Sequence, residues 1–553
     1  MIAHTRGAPR VLAVGVVVGF ASLAWGGQGY LFGRFHSYLN ERAVLVGTSM
    51  LPSVGQQILA DAGTFSLAVA PPLLLVCLWP LALQRISISN LRKHIDLAVI
   101  SLLAAFTLGG TATGSEQAAT PDVLYFSALT GLARARWDGR VSRLQPEARS
   151  PLPIASLTRS LAMPRNVLLI VTESVRASDV CKKRDRDCKT TPFTQRVVPN
   201  RLELEQMRSL DSTTAISIAV IWSGVPVEAT RAAYHQMPLV WEYAHAAGFG
   251  TGYWTAQNLL FGNHGTWLLG LPLDKTVSAT EIDSKASYEV GAPDGAIMDR
   301  ALQDLDSLPE PFVGVVHLSN THFPYEIDAT DAPFQPQRVA FGRGDQEQVH
   351  NRYKDAIYAQ DKRVARFIEA VRARPYGEKT VFVFTSDHGE QMRERGAVGH
   401  TSTMLDAEIH VPFWIDAPTT TLSDAERSSL QSLERVPVTQ IDILPTLLDL
   451  MGVLDSDKLL ELRAKLPGKS LLRGGSDPSV PKFMTNCSEI VACAFRNWGA
   501  MKGSKKIWAM EGDARWSCLD VASDPLEEHP LPLSECDDLI PFVERLGKGA
   551  PFR

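Results

Sequence analysis

No Cys-x-x-Cys pair occurs in the 553 residues, so the spacing of a structural zinc module is absent. Positive charge is not in excess. The 55 Lys and Arg face 60 Asp and Glu, a net charge of −5, which argues against nucleic-acid binding through bulk charge. There is no internal repeat and no low-complexity tract. Charged residues make up 21% and apolar residues 45%, a balance that excludes wholesale disorder, collagen and bare coiled coil. The chain is longer than one ordinary domain. Its mean hydropathy of −0.02 is high for a soluble protein, and the excess lies before about residue 115.

Three apolar runs fill that region. The first, 11–32, follows Arg6 and Arg10; the second, 65–84, contains Pro71 and Pro72; the third, 95–113, follows Lys93 and His94. Each approaches the roughly 20 residues that a membrane-crossing helix needs, and paired prolines are tolerated in such helices. The first run also has the charged start of a cleaved signal peptide, but its length and the two later runs favour an uncleaved helix. The mildly apolar stretch 43–60 reads as a loop or interfacial helix. Arg85, Arg92 and Lys93 lie between the second and third runs. The positive-inside rule therefore puts them, with Arg6 and Arg10, in the cytoplasm. Three crossings within 1–114 then deliver the rest of the chain to the outer side, an inner-membrane protein with a periplasmic catalytic domain.

The cysteines agree with that compartment. Cys77 falls in the second run, and the other six form local pairs: Cys181 and Cys188, Cys487 and Cys493, Cys518 and Cys536. An even count at short separations suits disulfides in an oxidising compartment. Residues 115–160 form a linker. Within it, 123–144 mixes Tyr125, Phe126 and Trp137 with four arginines, which suits a helix lying on anionic headgroups or an ordinary amphipathic linker helix.

From Arg165 the texture changes. Residues 166–172 form a continuous β-rich apolar run, as expected of a strand buried on both faces. Residues 312–318, 380–384 and 411–415 have the same character, and helical stretches such as 352–374 lie between them. This alternation predicts an α/β fold with a central parallel or mixed sheet flanked by helices. Catalytic groups in such sheets gather at the carboxyl ends of the strands. The first strand runs into Glu173, the second into His317 and Asn320-Thr321-His322, the third into Asp387-His388-Gly389-Glu390, with His400 beyond. Singly these are weak signals. Together, carboxylates and imidazole are the donors that zinc or manganese needs.

These pieces resemble the alkaline phosphatase/sulfatase superfamily over about residues 165–530. The matching stretches are Asn166–Arg176, Thr191-Pro192, Thr385-Ser-Asp387-His388-Gly389-Glu390, His410-Val-Pro412 and Gln440-Ile-Asp442 through Pro445-Thr446, with Tyr353, Asp355, Ile357 and Asp361 on a further helix. Cys518-Leu-Asp520 with Asp524-Pro525 and Glu527 resembles the small C-terminal subdomain. The resemblance implies a sulfatase-like catalytic domain over 161–475 and that subdomain over 476–553.

Sulfatases carry a Cys/Ser-x-Pro-x-Arg motif that is converted to formylglycine. The corresponding stretch, Ser212-Thr213-Thr214-Ala215-Ile216-Ser217, has neither the Pro nor the Arg. It is similar instead to membrane-bound phosphoethanolamine transferases that modify lipid A, and to lipoteichoic acid synthases and phosphoglycerol transferases, in which a Thr attacks phosphorus. Counting back from Ser223-Gly224 favours Thr214, with Thr213 and Ser212 as the alternatives. The resemblance implies Glu173, Thr214, Asp387 and His388 as ligands of a divalent metal, zinc favoured over manganese. A metal-bound threonine hydroxyl becomes an effective nucleophile. His322 and His400 are candidates to bind phosphate oxygens or protonate leaving groups, and His264 is a further substrate-binding candidate. The implied reaction moves a phosphoethanolamine or phosphoglycerol-type group from a membrane phospholipid to an envelope glycan or lipid A. Two other readings remain: a hydrolase of phosphate or sulfate esters, and a metal-free envelope sensor, against which the intact Glu173, Asp387 and His388 set argues.

Overall fold

The structure is a computed structural model. It describes residues 148–545, except 260–263, 287–289, 340–345, 393–397, 491–496 and a few shorter gaps, together with scattered positions before 148. Among the described residues no helix is long and apolar enough to cross a membrane. The crossings expected at 11–32, 65–84 and 95–113 lie outside the described residues, apart from residues 24–29 and isolated helical positions. The linker helix expected at 123–144 lies almost wholly outside them too. Residues 1–145 with 492–494 form one unit, and residues 146–491 with 495–553 form another.

The centre of this second unit is a seven-stranded mixed sheet. The strands are β1 (Asn166–Thr172), β2 (Leu202–Glu203), β3 (Gly250–Thr255), β4 (Lys275–Val277), β5 (Phe312–His317), β6 (Thr380–Ser386) and β7 (Phe413–Asp416), in the spatial order β2-β7-β6-β1-β5-β3-β4. β1, β3, β4, β5 and β6 run parallel. β7 runs antiparallel to β6, and β2 antiparallel to β7. Every residue of β1 is buried, and successive side chains feed opposite cores. Val167, Leu169 and Val171 join one apolar cluster, while Leu168 and Ile170 join the other. That is the period-two alternation of a strand covered on both faces.

The four strands expected from sequence are present, with β7 beginning at Phe413, just after Pro412. β3 gave no apolar signal, because its sequence Gly-Thr-Gly-Tyr-Trp-Thr alternates small residues with large aromatics. The glycines make room. A Cβ on Gly252 would collide with the Trp254 ring at 2.1 Å.

Four helices matter for the site: α1 (Thr214–Ser223), α2 (Asp294–Leu305), α3 (Gln346–Arg372) and α4 (Ile443–Leu450). α1 stops at Gly224, which is left-handed at φ +66°; a Cβ there would meet Leu466 at 2.8 Å. The helix expected at 352–374 begins six residues earlier. α3 carries Tyr353, whose hydroxyl donates to the Ser174 carbonyl (2.6 Å) and accepts from the Arg176 N–H (3.0 Å). It also carries Asp361, which accepts from the N–H groups of Phe193 (2.7 Å) and Thr194 at the start of the short helix Pro192–Val197.

After α4 the chain builds a four-stranded antiparallel sheet: β8 (Lys482–Met484), β9 (Asn497–Lys502), β10 (Lys505–Met510) and β11 (Ser517–Asp520). Its core includes Ile216 and Val220 of α1, so the tail and the α1 helix share one apolar cluster. Disulfides join Cys181 to Cys188 and Cys518 to Cys536. Cys487 is also disulfide-bonded, and Cys493 lies outside the described residues.

Candidate active site

Strand register assembles the first part of the site. β1 and β6 are parallel neighbours with Thr172 opposite Ser386, so the residues that follow, Glu173 and Asp387, leave the sheet at the same level. The chain turns sharply there. Ser174 takes a left-handed conformation at φ +58°, strained for a residue with a side chain. In return its N–H bonds Asp387 Oδ1 at 2.9 Å, and the Val175 N–H bonds Ser386 Oγ at 2.8 Å. Gly389 lets the other strand end fold tightly, since a Cβ there would lie 2.3 Å from the Ala407 carbonyl.

α1 brings in the third part. Thr214 is its first residue and is buried, at the positive end of the helix dipole. Its Oγ1 lies 2.9 Å from Glu173 Oε1 and 3.1 Å from His388 Nε2. His388 Nε2 is 3.4 Å from Glu173 Oε1 and 3.4 Å from Asp387 Oδ2. His388 Nδ1 donates to the Gly389 carbonyl at 2.9 Å. That bond fixes the ring and turns Nε2 toward the carboxylates, the usual arrangement of a metal-ligating histidine.

The neighbouring candidates separate. Ser212 Oγ donates to Glu408 Oε2 at 2.6 Å, and the Thr213 N–H bonds Asp211 Oδ1 at 2.8 Å. Neither contact involves Glu173. His400 lies beside His388, ring centroids 4.3 Å apart, and His322 beside His400 at 5.5 Å. His264 is buried on the other side against Trp222, centroids 6.1 Å apart, with neither ring nitrogen hydrogen-bonded.

The electrostatics are those of buried like charges. Burial would raise Glu173, but the hydrogen bond and charge of His388 more than offset it and hold the carboxyl below its usual range. Burial and the Glu173 charge push Asp387 well above the carboxylate range. Burial disfavours a charged His388, yet Asp387 and Glu173 together push it up to about 10. The Asp387 Oδ2 atom is buried with no hydrogen-bond partner. Carboxylates crowded around an imidazole, with one oxygen unsatisfied, fit a divalent cation. Ligand atoms of Glu173, His388 and His400 all lie within 4.8 Å of one another, so His400 stands beside the donors Glu173, Thr214, Asp387 and His388 expected from sequence.

The chain matches the sulfatase family model over residues 165–453, just over half its length. It belongs to the sulfatase family. A curated relative, the lipoteichoic acid synthase-like YvgJ of Bacillus subtilis, is 23% identical over 312 residues, covering 53% of this chain and 48% of the relative. A sulfatase of Formosa agariphila is 25% identical over 153 residues, 27% of each chain. The chain thus spans less than half the length of either. Among solved structures, the integral membrane lipooligosaccharide phosphoethanolamine transferase A of Neisseria meningitidis superposes with a TM-score of 0.58 at 17% identity, covering 80% of this chain and 85% of that one. An alkaline phosphatase superfamily protein of Vibrio parahaemolyticus gives a TM-score of 0.53 at 17% identity, over 74% and 93%. The solved structures that share this fold thus include one named as a transferase.

Sequence reading assigns no role to Gln257, His317 or Asp211. Gln257 Nε2 donates to Glu173 Oε2; it follows β3, the strand without an apolar signature. His317 Nε2 lies 4.0 Å from the same oxygen, and burial pushes this ring down to about 4, so it is neutral. Its position at the end of β5 was the available signal. Asp211 lies buried three residues before Thr214 and is pushed up to about 7 by burial.

Proposed function

We propose that this protein is a membrane-anchored, metal-dependent transferase that moves a phosphoethanolamine or phosphoglycerol-type group from a phospholipid to an envelope glycan or lipid A. The observation that carries the reading is Thr214 Oγ1 between Glu173 Oε1 and His388 Nε2, at 2.9 and 3.1 Å. Glu173, Thr214, Asp387 and His388 would hold a zinc or manganese ion, whose positive charge would favour the threonine alkoxide and offset charge on the phosphoryl oxygens.

The chain's own residues account for the remaining steps. A neutral imidazole, that of His400 or His322, takes the Thr214 Oγ1 proton as that oxygen forms a bond to phosphorus, and gives it to the diacylglycerol oxygen as the bond from phosphorus to that oxygen breaks. In the second half the same imidazole takes a proton from the acceptor hydroxyl, the acceptor oxygen attacks phosphorus, and the Thr214 oxygen leaves and regains a proton from the imidazole. Burial and the neighbouring His388 lower the His400 pKa, so its neutral form is available as the base. The apolar runs before residue 115 would hold the site beside phospholipid headgroups, with the domain in the periplasm.

Mass spectrometry after incubation with lipid vesicles tests this. Phosphoethanolamine or phosphoglycerol is expected on the Thr214 peptide. An unmodified peptide from an enzyme that consumes the lipid would overturn the covalent route. Release of diacylglycerol that needs no acceptor would favour the hydrolase reading.

A further inference from the structure

The C-terminal subdomain reaches back to the start of the nucleophile helix through one side chain. Asn486 sits in the loop between β8 and β9 and is only 2% exposed. Its Oδ1 accepts the Ser212 N–H at 2.6 Å, and its Nδ2 donates to Ser212 Oγ at 3.0 Å. Just before it, the Thr485 N–H bonds the Leu210 carbonyl at 3.1 Å. The amide of Asn486 therefore continues, with side-chain atoms, the pairing that the backbone has begun.

Asn486 is itself held on both sides. Its N–H bonds Asn497 Oδ1 at 2.9 Å, and Thr485 Oγ1 donates to the Asn497 carbonyl at 2.7 Å. The next residue, Cys487, is tied into a disulfide.

Ser212 joins two parts of the site. Thr214 follows it by two residues. The Thr401 N–H, next to His400, bonds both the carbonyl and the hydroxyl of Ser212 at 3.1 Å. Ser212 Oγ in turn donates to Glu408. Ser212, Glu408 and Asn486 are all buried, where an unmade hydrogen bond costs most.

We propose that Asn486 is a positioning residue for the transfer reaction, acting through Ser212 to hold Thr214 and His400 in register with each other. The inference rests on the reading of Thr214 as nucleophile. It gives the C-terminal subdomain a part in the chemistry without contact to substrate. A displacement of Thr214 by a fraction of an ångström would reduce turnover and leave lipid binding intact.

The test uses full-length protein with vesicles of fluorescent phosphatidylethanolamine and phosphatidylglycerol and with lipid A as acceptor, reading diacylglycerol release. Asn486→Ala is expected to lower kcat by about tenfold to a hundredfold with KM unchanged. Asn486→Asp keeps the acceptor for the Ser212 N–H and loses the donor, so an intermediate loss is expected even if the alanine variant folds poorly. Ser212→Ala should cost less in the Asn486→Ala background than alone, because both changes break one linkage. Wild-type kcat in both Asn486 variants, or losses strictly additive with Ser212→Ala, would overturn the proposal. Full activity in Thr214→Ala would instead remove the nucleophile reading on which it stands.

Discussion

The Thr214 hydroxyl lies 2.9 Å from Glu173 Oε1 across 41 residues of sequence. The contact forms because α1 begins opposite the end of β1. No local turn could make it. The Ser212 hydroxyl instead bonds Glu408, and the backbone N–H of Thr213 bonds Asp211.

Thr214→Ala is therefore expected to lower turnover by about a thousandfold or more, as removal of a covalent nucleophile does, with an unchanged melting temperature. Thr213→Ala should stay within a few-fold of wild type. An inactive Thr213 variant beside an active Thr214 variant would move the nucleophile by one residue.

Asp387→Asn should reduce bound metal. It keeps the shape of the side chain and replaces one of the carboxyl oxygens packed around His388 Nε2. Elemental analysis of purified protein reads the outcome, and wild-type metal content with wild-type turnover would refute the role of Asp387 as a ligand.

The contribution of His410 to stability should fall as the pH drops below about 6.5, the ordinary histidine value. Burial, with the nearby Arg208 charge, pushes His410 down to about 4. The unfolded chain then binds a proton that the folded one refuses between those values, so folding weakens by up to about 1.4 kcal/mol per pH unit for this group and levels off below its folded pKa. His317 and His264 are depressed as well and act with the same sign. His410→Gln keeps a donor for the Glu205 carbonyl, which His410 Nε2 bonds at 2.8 Å. Its melting temperature should decline less steeply between pH 6.5 and 4.5 than that of wild type. Parallel curves would show that His410 does not contribute.

Lys506 should prove costly to remove. Fully buried in β10, it lies 2.8 Å from Asp406 and 2.5 Å from Glu527, and Arg208 holds Asp406 at 2.7 Å from the other side. Lys506→Met leaves Glu527 without its cation, an expected loss of about 3–5 kcal/mol. Adding Glu527→Gln should restore part of that loss in chemical denaturation. No recovery would mean that the lysine acts through packing alone.

Much of the fold is legible in the chain itself. β1, β5 and β6 announce themselves because strands covered on both faces must be apolar throughout, and Glu173 and Asp387 stand out because each follows such a run directly. β3 does not, since glycines and aromatics share its two faces, and Gln257 is hidden with it. His400 is placed beside His388 by a loop, and loops carry no periodic signal.

Sequence alone determined the chemistry on offer: carboxylates, imidazoles and a threonine, each at the end of a strand or the start of a helix, with no formylglycine motif among them. Chain composition also set the apolar N-terminal region and the cysteine pairs. Tertiary structure decided which of three adjacent hydroxyls meets Glu173 and His388, and it brought Asn486 of the C-terminal sheet onto Ser212. Those choices depend on the register of β1 against β6 and on the core that α1 shares with the C-terminal sheet. Register and shared packing arise only when distant segments are buried together.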